Sequence, residues 1–323
     1  MIWLRSGITL LLCAALLLFV VDVDDVVATL RRCDPRLALI ALAAFTADRV
    51  LMSYKWGLLL AIRGYRVKLV ERLMVYCSAM MWGLALPSTV GADGIRILLV
   101  RRFGVRVDDA IATIVVERLI GFVCALLIAL LGLLILRSRA PLGPAYDLMM
   151  LCGGLALLGA MVGVAFSFSE RALQWLLRLL PLRFASSKIG QLTKRLHLSY
   201  RSLSFDRTRL LAFSSLTLVE QVLMIACYGL TATALGVEFN AMFLFAAVPL
   251  AMLISRLPIS IDGIGVYEGI FIAIMTLGGV RPEDSLAISL TARALQIVVW
   301  LPWWLALAVR TRSVKPPETT NES

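Results

Sequence analysis

Residues 110–136 read AIATIVVERLIGFVCALLIALLGLLIL, an apolar run broken by charge only at Glu117 and Arg118. A helix of about 20 mostly apolar residues crosses the hydrocarbon core of a bilayer, so this run alone commits the chain to a membrane. Comparable runs lie at 7–22, 37–62, 147–167, 210–235 and 285–309. Shorter apolar pairs lie at 73–86 with 95–103 and at 242–256 with 264–280. At 60% hydrophobic residues and a mean hydropathy of +0.90, the chain is too apolar for a soluble globular domain. The run at 7–22 continues into VDVDD without a small-x-small cleavage pattern, which reads as an uncleaved anchor rather than a signal peptide.

The net charge of +11 is distributed in a way that points to lipid rather than nucleic acid. Basic clusters fall at Arg63, Arg66, Lys68 and Arg72, at Arg101, Arg102 and Arg106, between 171 and 209, and in the tail. The loop at 22–36 carries Asp22, Asp24, Asp25 and Asp34 against three arginines. Basic loops stay cytoplasmic, so both termini are expected in the cytoplasm of a multi-pass inner-membrane protein. Basic loops beside anionic lipid account for the charge without a nucleic-acid partner.

Because 63–72 and 101–109 are both basic, residues 73–100 must enter the membrane and return to the same side. That predicts a re-entrant hairpin with LPSTVGADG at its tip, where Pro87, Gly91 and Gly94 break the helix. LPISIDGIG at 257–265 predicts a second hairpin, over 242–280, with Pro258, Gly263 and Gly265 as breakers. Such tips survive at membrane depth only when buried in protein or lining a wet cavity. The similarity extends further. DRVLM (48–52) matches EQVLM (220–224), and GVRVDDAIATIVVER (104–118) matches GVRPEDSLAISLTAR (279–293), at offsets of about 171–175 residues. Parity puts the two GVR loops on opposite sides, so the halves read as inverted repeats, a construction used by secondary transporters. The expected architecture is an all-α membrane bundle of about six full spans plus two re-entrant hairpins. Its first repeat covers 1–137 and its second 138–312, with a polar tail at 313–323. The basic, leucine-rich stretch at 170–205 is expected to lie on the inner leaflet.

LPSTVGADGIR followed by Arg101–Arg102, the Glu117–Arg118 pair and ISIDGIGVYEG resemble the lysylphosphatidylglycerol synthase transmembrane-region family over about residues 7–309. The resemblance implies a lipid-translocating bundle with two re-entrant hairpins. The chain departs from the family at Gly121, where a carboxylate is common. It ends at Ser323 with a short polar tail, so no aminoacyltransferase domain is expected and lysyl transfer is not carried over.

An ionisable group near the bilayer centre is expensive and therefore a functional candidate. Arg118 and Arg293 are repeat partners whose guanidinium forks suit a phosphate, unless each only neutralises a carboxylate such as Glu117 or Glu268. Arg96 would add a charge at the start of the first returning half-helix, where free N–H groups attract anions. Asp93 and Asp262 are expected to cap the two return helices. Glu268 lies one turn into its helix, as the acid of a buried pair or as a proton carrier. Asp48 and Glu220 are repeat-related; Asp48 is placed awkwardly for Arg49, because adjacent helical side chains diverge. Lys55 is expected to reach the cytoplasmic surface. The substrate-binding set is then Arg118, Arg293, Arg96, Glu117, Glu268, Asp48 and Glu220.

No cofactor or metal is expected. His197 is the only histidine, the six cysteines show no paired metal spacing, and there is no GxxxxGK[ST] phosphate loop. The favoured reading is a translocase for an anionic, phosphate-bearing lipid, working beside enzymes of lipid or envelope synthesis. The alternatives are an intramembrane transferase, with VDVDD as its metal site, or an accessory subunit without transport.

Overall fold

The structure, a computed structural model, describes residues 20–84, 89–137, 144–168, 198–256 and 263–312, with the single positions 14, 16 and 260. Most of the expected first span, Pro87, Pro258, Asp262, the tail, and most of the 170–205 stretch lie outside the described residues. Among the described residues the chain is helical, with no strand. The acidic run, expected as a loop, forms α1 (Val23–Arg31), because Asp22 accepts the Asp24 N–H and Asp24 and Asp25 occupy the positive first turn. There follow α2 (Pro35–Ile62), α3 (Leu69–Gly83), α4 (Thr89–Val100), α5 (Val107–Arg137), α6 (Pro144–Ser167), α7 (Arg207–Ala234), α8 (Ala241–Ser255), α9 (Val266–Leu277) and α10 (Pro282–Arg312). Five of these are long and apolar enough to cross a membrane: α2, α5, α6, α7 and α10.

The helix lengths recur in order. α2, α3, α4 and α5 have 28, 15, 12 and 31 residues, and α7, α8, α9 and α10 have 28, 15, 12 and 31. Packing is reciprocal as well. α2 lies along α7, α5 packs on α8, and α10 packs on α3. At the α5–α8 crossing Gly132 sits against the Phe245 backbone, with no room for a Cβ, as close helix approach in membranes requires.

The two ends of α2 orient everything else. The Asp34 N–H bonds the Ala234 carbonyl (2.8 Å) and Arg209 reaches the Ala61 carbonyl (3.4 Å), so α2 and α7 are antiparallel. At the Pro35 end, Arg281 pairs with Asp25 (3.2 Å) and Thr29 donates to Asp284 (2.8 Å). At the Ile62 end, Arg63 and Tyr65 both donate to Asp109 (2.7 and 2.6 Å). Burial and the Asp109 bond raise the Tyr65 phenol pKa. A 28-residue helix is about 42 Å long, so the two GVR loops lie at opposite ends of the molecule.

α3 and α8, at 15 residues each, are about 22 Å long, short of the roughly 30 Å hydrocarbon core. Each is followed by a return helix. Gly278 at the end of α9 meets the Phe243 ring at the start of α8. In the first hairpin α4 already begins at Thr89 and runs straight through Gly91 and Gly94, so these glycines do not break it as expected. The close approach is made instead by Gly83, where a Cβ would stand 2.8 Å from Ala92 Cβ. In the second hairpin Gly263 (φ +72°) and Gly265 (φ +81°) do turn the chain. A Cβ on Gly263 would meet Ser255 Cβ at 2.6 Å.

Candidate functional site

The C-terminal ends of α3 and α8, with α2, α5, α7, α9 and α10, line a cavity of about 240 Å³. Its wall is drawn in matching pairs from the two halves. Arg49 and Gln221, Met52 and Met224, Met80 and Met252, and Leu84 and Arg256 are each 172 positions apart, and Arg118 and Arg293 are 175 apart; all ten line the cavity. Leu84 and Arg256 are moreover the C-caps of α3 and α8. Tyr76, Tyr228, Tyr267, Ser255, Gln296, Trp300 and Glu220 complete the wall. The Trp300 indole N–H is buried without a hydrogen-bond partner among the described residues, and a buried donor left unpaired is costly.

Four charged wall residues are held in ion pairs. Arg118 holds Asp93 with two hydrogen bonds (3.0 and 2.9 Å). Arg293 lies 3.7 Å from Glu268, so the two arginines face carboxylates that are themselves 175 positions apart. Asp93 is therefore not the expected cap; it lies in the second turn of α4, because that helix starts earlier than the motif suggested. Glu268 accepts the Gly265 N–H (2.7 Å) and so caps α9 while facing Arg293. Arg49 bonds Asp48 despite their adjacency, since Asp48 is fully buried and has no nearer cation to pair with. Lys55 does not reach the surface. It is 2% exposed, bonded to Glu220 and to Thr217 Oγ1 (3.2 Å), over the Phe213 ring. A carboxylate across the α2–α7 seam is closer than water.

Arg96 and Glu117 do not border the cavity. Arg96 is 0% exposed and makes a two-pronged bond with Glu117, with Nη1 to Oε1 at 2.9 Å. Its guanidinium lies between the rings of Trp56 (4.2 Å) and Tyr76 (4.7 Å). Stacking and a bidentate carboxylate together fix the start of the bundle around α4.

Sequence reasoning missed Arg49, Arg256, the three tyrosines, Gln221, Gln296, Trp300 and the four methionines as wall residues. The signal existed in the offset of 172, which pairs Met52 with Met224 and Leu84 with Arg256 once carried along α2 and α3. Of the acidic run, Asp22 caps α1 and Asp25 pairs with Arg281. No group of three metal-ligating side chains occurs among the described residues.

The family model described as the lysylphosphatidylglycerol synthase TM region matches residues 2–303. No curated protein matches the chain. A match over nearly the whole length settles membership: the protein belongs to this family.

Proposed function

We propose that this member of the lysylphosphatidylglycerol synthase TM region family is a translocase that moves an anionic, phosphate-bearing lipid between the leaflets of the cytoplasmic membrane. The observation that carries the reading is the arginine-lined cavity beside the C-terminal ends of α3 and α8, walled by residues at matching positions of the two halves. A guanidinium fork engages two phosphate oxygens at once. At about 240 Å³, the cavity is smaller than the roughly 300 Å³ at which ordinary small-molecule pockets begin. It accommodates a headgroup and leaves the tails in the bilayer.

The recurring helix lengths and the opposed GVR loops support inverted repeats covering 1–137 and 138–312. Rocking of one repeat against the other would open the cavity to each leaflet in turn. Arg118 and Arg293 contact the phosphate. Glu268, Asp48 and Glu220 tune the cations around it, and Arg96 with Glu117 holds the first return helix in place. Enzymes that make or consume the lipid are the natural partners.

The test is transport of a fluorescent phospholipid or polyprenyl phosphate in reconstituted vesicles. Arg118→Lys and Arg293→Lys keep the charge and lose the fork, so transport should fall. Arg118→Gln and Arg293→Gln should lower it further, at least tenfold, while accumulation is unchanged. Folded Gln variants that move the lipid at the wild-type rate would reject the reading.

A further inference from the structure

The charges bordering the cavity are Arg49, Arg118, Glu220, Arg256 and Arg293. Four of them have an opposite charge within reach: Asp48, Asp93, Lys55 and Glu268 respectively for Arg49, Arg118, Glu220 and Arg293. Arg256 has no ion-pair partner among the described residues. It sits at the C-cap of α8, where the helix end supplies a counter-charge of only about half an elementary unit. The position also breaks the match between the halves, because its counterpart, the C-cap of α3, is Leu84. Among the described residues the wall is thus neutral in pairs and carries one surplus positive charge, at Arg256.

We propose that Arg256 selects the cargo by charge, so that the cavity takes a headgroup of net charge −1, a phosphodiester lipid, and rejects zwitterionic and cationic headgroups. The proposal rests on the translocase reading and adds to it a specificity residue and a charge rule. A monoanion neutralises the surplus. A zwitterion brings an ammonium into a wall with no unpaired carboxylate among the described residues, and an aminoacylated headgroup brings net positive charge against Arg256. Like charges at contact distance repel, and such a mismatch discriminates between headgroups.

The test uses the full chain in mild detergent, offered an equimolar mixture of phosphatidylglycerol, phosphatidylethanolamine and lysyl-phosphatidylglycerol, with retained lipid read by native mass spectrometry. The wild type should retain phosphatidylglycerol at least tenfold over the other two. Arg256→Gln should bring the ratios near one, and Arg256→Lys should keep most of the preference. Adding Leu84→Arg to Arg256→Gln returns the charge at the matching cap and should restore the preference. That rescue separates charge selection from misfolding. Equal retention of all three lipids by the wild type, or an unchanged preference in folded Arg256→Gln, would overturn the proposal. Displacement of the lipid by an equal concentration of inorganic phosphate would overturn the lipid as ligand. The same lipids, fluorescently labelled and followed across vesicles, separate the two readings. Selective retention without movement removes the translocase and keeps Arg256 as the selector. Movement without charge preference does the reverse.

Discussion

Residues 96 and 117 in the first half and residues 271 and 292 in the second stand at the same separation of 175, and their surroundings match. Arg96 stacks on Trp56; Phe271 packs on Tyr228 with ring centroids 5.5 Å apart, and Trp56 and Tyr228 are themselves 172 apart. Arg96 and Phe271 are both 0% exposed. Yet one site holds a buried Arg–Glu pair, and at the matching positions of the other stand the buried apolar residues Phe271 and Ala292. One frame therefore accepts a buried ion pair or a plain apolar contact at the same depth. What the frame requires is volume and an aromatic platform, and the charge is an addition made in one half alone.

The largest expected effect breaks that contrast. Glu117→Gln leaves the Arg96 cation buried against a neutral amide, and breaking a buried pair costs about 3–5 kcal/mol. The variant should accumulate poorly and melt far below the wild type in detergent. Arg96→Phe with Glu117→Ala transplants the second half's solution and should recover most of that loss, since apolar replacements of buried pairs are often neutral or better. A double variant as unstable as the single would show that the two environments are not equivalent.

The hairpin glycines sharpen the comparison with smaller effects of opposite sign. Gly265 has φ +81°, a region where an L side chain costs roughly 1–2 kcal/mol, so Gly265→Ala should destabilise by about that much. Gly94 lies within α4, and a Cβ there meets nothing within 4 Å. Gly94→Ala should stabilise by about 0.5–1 kcal/mol. Thermal melts of the purified variants read both, and loss of stability at both sites would place a break at Gly94 after all.

Those two glycines also show where the sequence was legible and where it misled. Long apolar runs and basic loops are bulk properties, so the five spanning helices among the described residues and the opposed GVR loops could be read directly. Arg118 and Arg293, 175 positions apart, do line one cavity. The letters LPSTVGADG and LPISIDGIG, however, align Gly94 with Gly265, whereas burial along the return helices follows DGIRI (93–97) against EGIFI (268–272). The tips differ in length by a few residues, and a motif that straddles such a difference assigns Asp93 to a cap it does not make. Lys55 and Arg96 were illegible for another reason. Their partners, Glu220 and Glu117, are fixed by how helices cross, and spacing along one helix says nothing about what stands opposite it. Arg256 carries no signal in the sequence by itself, and only its position 172 residues from Leu84 marks it as a departure from the match.

The smallest expected effect on stability bears on the largest structural question, the opposition of the two ends. Arg106 and Arg281 occupy the same place in the two GVR loops, and their side chains are 64% and 51% exposed. Each pairs with an aspartate of its own loop, Arg106 with Asp108 and Arg281 with Asp284, and exposed pairs of this kind contribute little. Arg106→Cys and Arg281→Cys, in a background with the native cysteines replaced, should therefore melt close to the parent and report position without disturbing it. A membrane-impermeant maleimide applied to intact cells should label the cysteine at 281 and leave 106 unlabelled until the membrane is opened. The charge asymmetry sets that direction, because 63–72 and 101–106 are basic and belong inside, while Arg281 is tied to the acidic α1. Labelling of both from one side would separate the two loops from the opposite ends of α2 and with them dissolve the correspondence between the halves. Labelling in the reverse order would keep the opposition and turn the protein over in the membrane.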